Sequence, residues 1–273
     1  MKLSQKQLNI LSVCPRRFQQ TYLDRLISPP SPDQEERLAW GNRFHLLMQQ
    51  RELGLPIKNL MAENPQLGQD LTALIQAAPD LFDCGTNSNS NSPHKTFREA
   101  EHQRILNFGS HLLIGVYDLL IADDKTAQII DWKTYPRPQN SVHIIQNWQT
   151  RLYPYLLVET GDYLPEQVSM TYWFVKGNKN SGPQHLLLPY DSQKHQQTQQ
   201  DLARLIAQLD DYLRRYERGE PFPQVEISGD TCESCSFAFR CQRLRETPDN
   251  FEESGEYNVN KLPNFAKIKE IPI

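Results

Sequence analysis

"GVYDLLIADDKTAQIIDWKTY", residues 115–135, is the stretch whose reading decides the fold. Two apolar runs flank the polar "DDKT" at 123–126, the pattern of a β-hairpin. Each run carries an aspartate among apolar neighbours, Asp118 in the first and Asp131 in the second, and Lys133 follows two residues later. A turn centred between Asp124 and Lys125 pairs Ala122 with Ala127 and, in the same register, Asp118 with Asp131. Opposed Cβ atoms in such a pair lie roughly 4.5–5.5 Å apart. Side chains alternate along a strand, so Lys133 shares the face of Asp131. On the first strand Leu112, Ile114, Val116 and Leu120 share the face of Asp118, which makes that face otherwise apolar. Facing carboxylates repel, and apolar surroundings oppose their ionisation further. A divalent cation between them removes the conflict, and oxygen ligands favour Mg²⁺ or Mn²⁺. Lys133 beside it could stabilise charge on a phosphate oxygen or orient a hydroxide, the chemistry of metal-assisted phosphodiester hydrolysis. An ordinary polar hairpin face would carry the same residues, so the hairpin alone does not decide.

The rest of the chain supplies context. Its 273 residues are enough for one large domain. The composition, 38% apolar and 23% charged, is globular but polar. No run of apolar residues is long enough for a transmembrane helix, and "MKLSQKQLNILSV" lacks the features of a signal peptide. The expectation is a cytoplasmic protein without a membrane partner. A net charge of −4 neither announces nor excludes a nucleic-acid partner, because phosphates are met by local basic patches. Arg16, Arg17, Arg240 and Arg243 are candidates for such contacts, with solvated helix faces as the plainer account.

Helices are expected over 4–26 with a break at Cys14 before Pro15, over a segment holding "ERLAWGNRFHLLMQQREL", near 66–78, over 140–160 with a kink at Pro154, and over 191–219 ending at Gly219. Strands are expected near 99–108, 111–122, 127–134, 168–176 and 184–190. "SPPSPDQEE" and "CGTNSNSNSPHK" read as loops. This order predicts one α/β domain with a mixed sheet, over residues 1–245, and a polar tail at 246–273.

"GVYD" followed by "DWK" resembles the core of the PD-(D/E)XK nucleases, and more narrowly their RecB-like branch. The order of two further elements fits that branch: "GNRFHLL" offers His45 on an upstream helix, and "QTRLY" offers Gln149 and Tyr153 on one face of a downstream helix. The resemblance implies a restriction-endonuclease-like mixed sheet flanked by helices. It implies a metal held by His45, Asp118, Asp131 and the backbone carbonyl of Trp132, with Lys133, Gln149 and Tyr153 completing the catalytic set. Glu101 is a weaker candidate, and Glu99 competes with it.

Five cysteines stand at 14, 84, 232, 235 and 241. "CESCSFAFRC" gives a C-x2-C-x5-C pattern with no second CxxC pair, so spacing alone does not choose the metal. "CPRRF" at 14–18 resembles the first cysteine of the RecB-like nucleases that carry an iron–sulfur cluster, among them the AddB nuclease domain and the CRISPR-associated adaptation nucleases. That likeness implies a structural [4Fe–4S] cluster on Cys14, Cys232, Cys235 and Cys241 joining the N- and C-terminal segments. Zinc in the same cysteines, or buried free thiols, are the alternatives, and Cys84 is read as a free thiol. The resemblance implies an Mg²⁺- or Mn²⁺-dependent exonuclease acting on single-stranded DNA or duplex ends, in repair or CRISPR adaptation. A helicase or adaptation proteins would be its partners, since no nucleotide-binding G-x-x-x-x-G-K-[ST] motif is present. A catalytically silent DNA-binding module of the same fold and an enzyme for another phosphodiester are the rivals.

Overall fold

The computed structural model describes residues 1–26, 29, 31–82, 96–177, 181–226 and 230–243. Cys84, the "CGTNSNSNSPHK" loop and the tail from 246 lie outside the described residues. The chain forms two units, 1–226 and 227–273.

In the first unit β1 (Lys2–Ser4) leads into α1 (Gln5–Val13), α2 (Pro15–Phe18) and a π-helical turn at Gln19–Leu23. The helical run breaks at Cys14, as the following proline predicts. Then come α3 (Pro32–Glu52), α4 (Lys58–Glu63), α5 (Pro65–Ala77) and α6 (Pro79–Phe82), followed by β2 (Phe97–Phe108), β3 (His111–Ala122) and β4 (Ala127–Lys133). The chain continues through α7 (Val142–Gln146), α8 (Trp148–Glu159), β5 (Val168–Phe174), β6 (Gln184–Pro189) and α9 (Ser192–Glu217). Gly219 follows α9 with φ +85°, the left-handed position at which glycine ends helices.

Among the described residues six strands make one mixed sheet. β2 pairs antiparallel along the length of β3. The other edge of β3 is shared: β1 runs parallel to residues 112–114 and β4 antiparallel to residues 119–122. β5 lies parallel to β4, and β6 antiparallel to β5. β4 and β5 thus form the parallel pair at the centre. One core cluster packs this sheet against α1, α8 and α9, with Leu113, Tyr117, Leu120, Ile129, Leu156 and Leu202 among its buried members. A second packs Leu119, Ile130, Trp132 and Trp173 against Phe44, Leu47 and Leu71 of α3 and α5.

The hairpin register holds: Ala122 pairs with Ala127 and Leu119 with Ile130. Asp123 sets it, since its Oδ1 accepts from the backbone N–H groups of Lys125 and Thr126 at 2.8 Å each. The ladder stops one residue short of the aspartates. The expected apolar face around Asp118 needs correction. Leu113 and Tyr117 enter the α8-side core, but beyond Asp118 the even-numbered Leu120 and Ala122 do so. Inside–outside alternation therefore inverts at Asp118, and Leu112, Ile114 and Val116 lie on a partly exposed surface. Opposite, β2 pairing skips Glu101, whose φ of +53° is left-handed for a non-glycine residue. Such strained conformations cost roughly 1–3 kcal/mol and gather at functional sites.

The 140–160 helix divides at Asn147 and not at Pro154, through which α8 continues. Asn147 caps α8, its Oδ1 accepting from Gln149 N–H at 2.9 Å, while Asn9 of α1 donates to the same Oδ1 and accepts the N–H of Trp148. Asn147 is itself a local N-cap signal, and only its reinforcement by Asn9 comes from another helix.

The segment leaving α9 is anchored beside Cys14. Phe222, 1% exposed, stacks against Phe18, and its N–H donates to Gln19 Oε1 at 2.8 Å. Arg16 Nε donates to the Phe222 carbonyl at 2.6 Å, so this arginine is engaged in the fold rather than held out toward phosphates. Phe222→Ala is expected to cost about 3–5 kcal/mol of stability, read from denaturant unfolding.

In the second unit α10 (Asp230–Glu233) is followed by turns in which Cys235 N–H donates to the Cys232 carbonyl and Cys241 N–H to the Phe237 carbonyl. Cys232, Cys235 and Cys241 are half-buried there, as Cys14 is in the first unit.

Candidate active site

Close backbone approaches bring the site together. Gly115 lies under α8: a Cβ there would meet Leu156 Cδ1 at 2.9 Å and the Tyr153 ring at 3.2 Å. Glycine thus lets α8 sit close enough for Gln149 and Tyr153 to reach the strands. Gly41 does the same for α3, since a Cβ would stand 3.2 Å from Thr134 Oγ1 just beyond β4. His45, one turn further along α3, then reaches β3. The bidentate pair of Arg98 on β2 with Glu52 on α3, at 2.5 and 2.9 Å, ties the helix end to the sheet.

β3 and β4 part beyond Leu119 and Ile130, and Asp118 enters the opening. Its Oδ2 accepts the Trp132 N–H at 2.7 Å, and its Oδ1 lies 3.3 Å from His45 Nδ1. The Trp132 indole is buried in the α3-side core. Glu101, at the skipped position of β2, completes a group with His45 and Asp118 in which one ligand atom from each lies within 4.8 Å of the others. Glu99 instead binds His102 at 2.5 Å.

Asp131, only 3% exposed, sits beside this trio. Gln149 Nε2 donates to its Oδ1 at 2.5 Å. Its Oδ2 lies 2.6 Å from Lys133 Nζ, within ion-pair range but without a directed hydrogen bond. Lys133 Nζ donates to Gln149 Oε1 at 2.8 Å and stands 4.9 Å from the centre of the Tyr172 ring. Gln149 therefore fixes carboxylate and ammonium together, each of its amide atoms serving one of them. Tyr153 lies behind Gln149, packed on Tyr117, whose hydroxyl donates to the Tyr153 carbonyl.

The charges are coupled. Burial and then the Asp118 charge push Asp131 above the usual carboxylate range, against the pull of Lys133 and His45. Burial and Asp118 likewise raise Glu101. Burial lowers His45, but the neighbouring Asp118 carboxylate, with Asp131 and Glu101, more than reverses it. Burial also opposes the charge on Lys133, and Asp131 outweighs it, so the ammonium persists. Three carboxyls crowd around one histidine and one lysine, an arrangement that favours a bound cation.

The sequence model of the PD-(D/E)XK nuclease superfamily matches residues 2–242. The chain belongs to that superfamily. No curated protein matches it significantly. Among solved structures, a protein from Eubacterium rectale named as a candidate exonuclease superposes with a TM-score of 0.52 at 12% identity, covering 91% of this chain and 90% of that one. A second, SSO0001, shares 14% identity over 89% of this chain and 87% of its own, with a TM-score of 0.36.

In this superfamily member the positions expected from sequence fall into two adjoining groups. Asp131, Lys133 and Gln149 form one, and His45 and Asp118 join Glu101 in the other. Sequence offers Glu101 only as a weaker candidate at the start of the preceding strand; the β2–β3 register puts it opposite Asp118. Tyr172, which sits beside Asp131 in the parallel β4–β5 register and under Lys133, had no sequence signal. Among the described residues no helix is long and apolar enough to cross a membrane.

Gln149→Ala is expected to lower kcat by about tenfold or more while leaving KM nearly unchanged, because it removes the contact that aims Lys133 rather than a substrate contact. Steady-state kinetics on an oligonucleotide would check this.

Proposed function

We propose that the protein is a divalent-metal-dependent DNA nuclease, working as an exonuclease on single strands or duplex ends. The observation that carries the proposal is the Asp131–Lys133–Gln149 network lying against Asp118 and His45 in the opening between β3 and β4. The donors are carboxylate oxygens and one imidazole, a set suited to Mg²⁺ or Mn²⁺. His45, Asp118 and Asp131 would hold the ion, with the Trp132 carbonyl as a further ligand and Glu101 within reach of the same place. When bound, the ion would neutralise charge on the scissile phosphate and acidify a water. Lys133 faces the same phosphate and stabilises charge on its oxygen or holds the attacking water. Gln149 keeps Lys133 aimed, and Tyr153 supports Gln149 from behind. The exonuclease mode follows the RecB-like resemblance and agrees with the name borne by the Eubacterium rectale protein.

We further propose a [4Fe–4S] cluster on Cys14, Cys232, Cys235 and Cys241. Four cysteine thiolates are the donor set such a cluster requires. A helicase or CRISPR adaptation proteins are the partners the resemblance suggests. The test is incubation of pure protein with end-labelled single-stranded DNA and Mn²⁺. Shortened products that vanish with EDTA support the function. Intact DNA under all metal conditions would leave a binding module.

A further inference from the structure

We propose that Tyr135 is a base-stacking platform beside the scissile phosphate, so that the site takes an unpaired nucleic-acid strand. The inference deepens the nuclease reading and rests on it.

Tyr135 stands two residues beyond Lys133 and is 47% exposed. It is not a loosely tethered surface ring. Its ring meets that of Phe174 edge-on, with centroids 5.9 Å apart and planes at 65°. Phe174 is fully buried and is the β5 residue paired with Lys133. Two adjacent steps of the parallel pair thus carry a matching arrangement: Lys133 lies over Tyr172, and Tyr135 leans on Phe174. Tyr135 is therefore on the side of the sheet that holds Asp131 and Gln149. It also lies within electrostatic range of both Lys133 and Asp131. The support fixes the ring while about half of the residue stays exposed. A two-torsion side chain held this way loses little entropy on stacking.

A second cation lies at the end of the neighbouring strand. Lys176, just past β5, rests its Nζ 3.9 Å from the centre of the Trp40 ring. Trp40 directly precedes Gly41, the residue that brings α3 against Thr134. Trp40 itself is stacked on Phe44 and covered by Lys176, which leaves Tyr135 as the platform. The carboxyl ends of β4 and β5 therefore present Lys133 and a half-exposed aromatic ring near the carboxylates, with Lys176 just past the neighbouring strand. Alternating cations and aromatic faces are how proteins hold single strands without reading sequence. A paired base has its faces covered by its neighbours in the stack, so a duplex interior cannot use Tyr135.

The test is equilibrium binding in EDTA, followed by fluorescence anisotropy. The probes are fluorescein-labelled oligothymidylate and an abasic oligomer of equal length. Tyr135→Ala is expected to weaken oligothymidylate binding roughly tenfold and to leave the abasic oligomer unaffected. Tyr135→Phe should stay close to wild type. Unchanged oligothymidylate binding in Tyr135→Ala, equal losses on both probes, or a Phe variant as weak as the Ala variant would each overturn the platform. Cleavage in Mn²⁺ is scored separately. Wild-type protein that binds the thymidylate strand through Tyr135 yet never cuts it removes the nuclease reading and leaves the platform standing.

Discussion

Lys133→Ala is expected to reduce Mn²⁺-dependent degradation of single-stranded DNA by roughly 10²–10³-fold, with the fold retained. The size follows from position. Lys133 is the ammonium of the site, held by Asp131 at 2.6 Å and by Gln149 at 2.8 Å, so its charge is aimed before substrate arrives. A pre-aimed charge in a largely buried site is worth far more to a transition state than one in water. Removing it leaves Asp131 without its ammonium partner, and breaking a buried pair can cost several kcal/mol. Here Asp131 is already pushed toward its neutral form, and Gln149 still donates to it, which limits the loss. Lys133→Met, which keeps an unbranched stem over Tyr172, separates the two effects. It should be as inactive as the alanine variant but closer to wild type in denaturant unfolding. Full activity in either variant would remove Lys133 from the mechanism.

Cys14→Ala is expected to remove the brown colour of protein purified without oxygen, and to lower its stability. Cluster binding is coupled to folding because the unfolded chain holds no preformed site. Loss of one thiolate in four breaks that coupling. The first unit is already closed around Phe222 next to Cys14, through Gln19 and Arg16. The variant should therefore keep the sheet and its hairpin while the second unit loses its order. Iron and sulfide analysis with absorption spectra checks the point. Zinc in place of iron, or a colourless and metal-free wild type, would contradict the cluster.

How far the sequence carries the fold differs from one element to the next. The hairpin register is legible because a two-residue turn and the Asp123 side chain fix it locally. The spacing of Asp118 and Asp131 about that turn is enough to make them neighbours. The surroundings of Asp118 are not legible, since the inverted alternation lies opposite a left-handed Glu101 on another strand, which local sequence does not announce. β1 escapes a sequence reading because three residues carry no periodicity, and its parallel pairing to residues 112–114 spans most of the first half of the chain. The break at Asn147 is misplaced at Pro154 by sequence because the proline is the more conspicuous signal, whereas the Asn147 cap, reinforced by Asn9 from α1, starts the second helix. Gln149 and Tyr153 are visible as a helical pair, but the amide bridging Asp131 and Lys133 emerges only when α8 packs onto Gly115.

The central claim is that these carboxylates converge to hold a divalent cation. It is tested most directly by titrating Mn²⁺ into the metal-free protein and following the free-ion signal by electron paramagnetic resonance. Wild-type protein is predicted to bind Mn²⁺, and Asp118→Asn to bind it roughly tenfold more weakly or worse. Equal Mn²⁺ affinity in the two proteins would contradict the account.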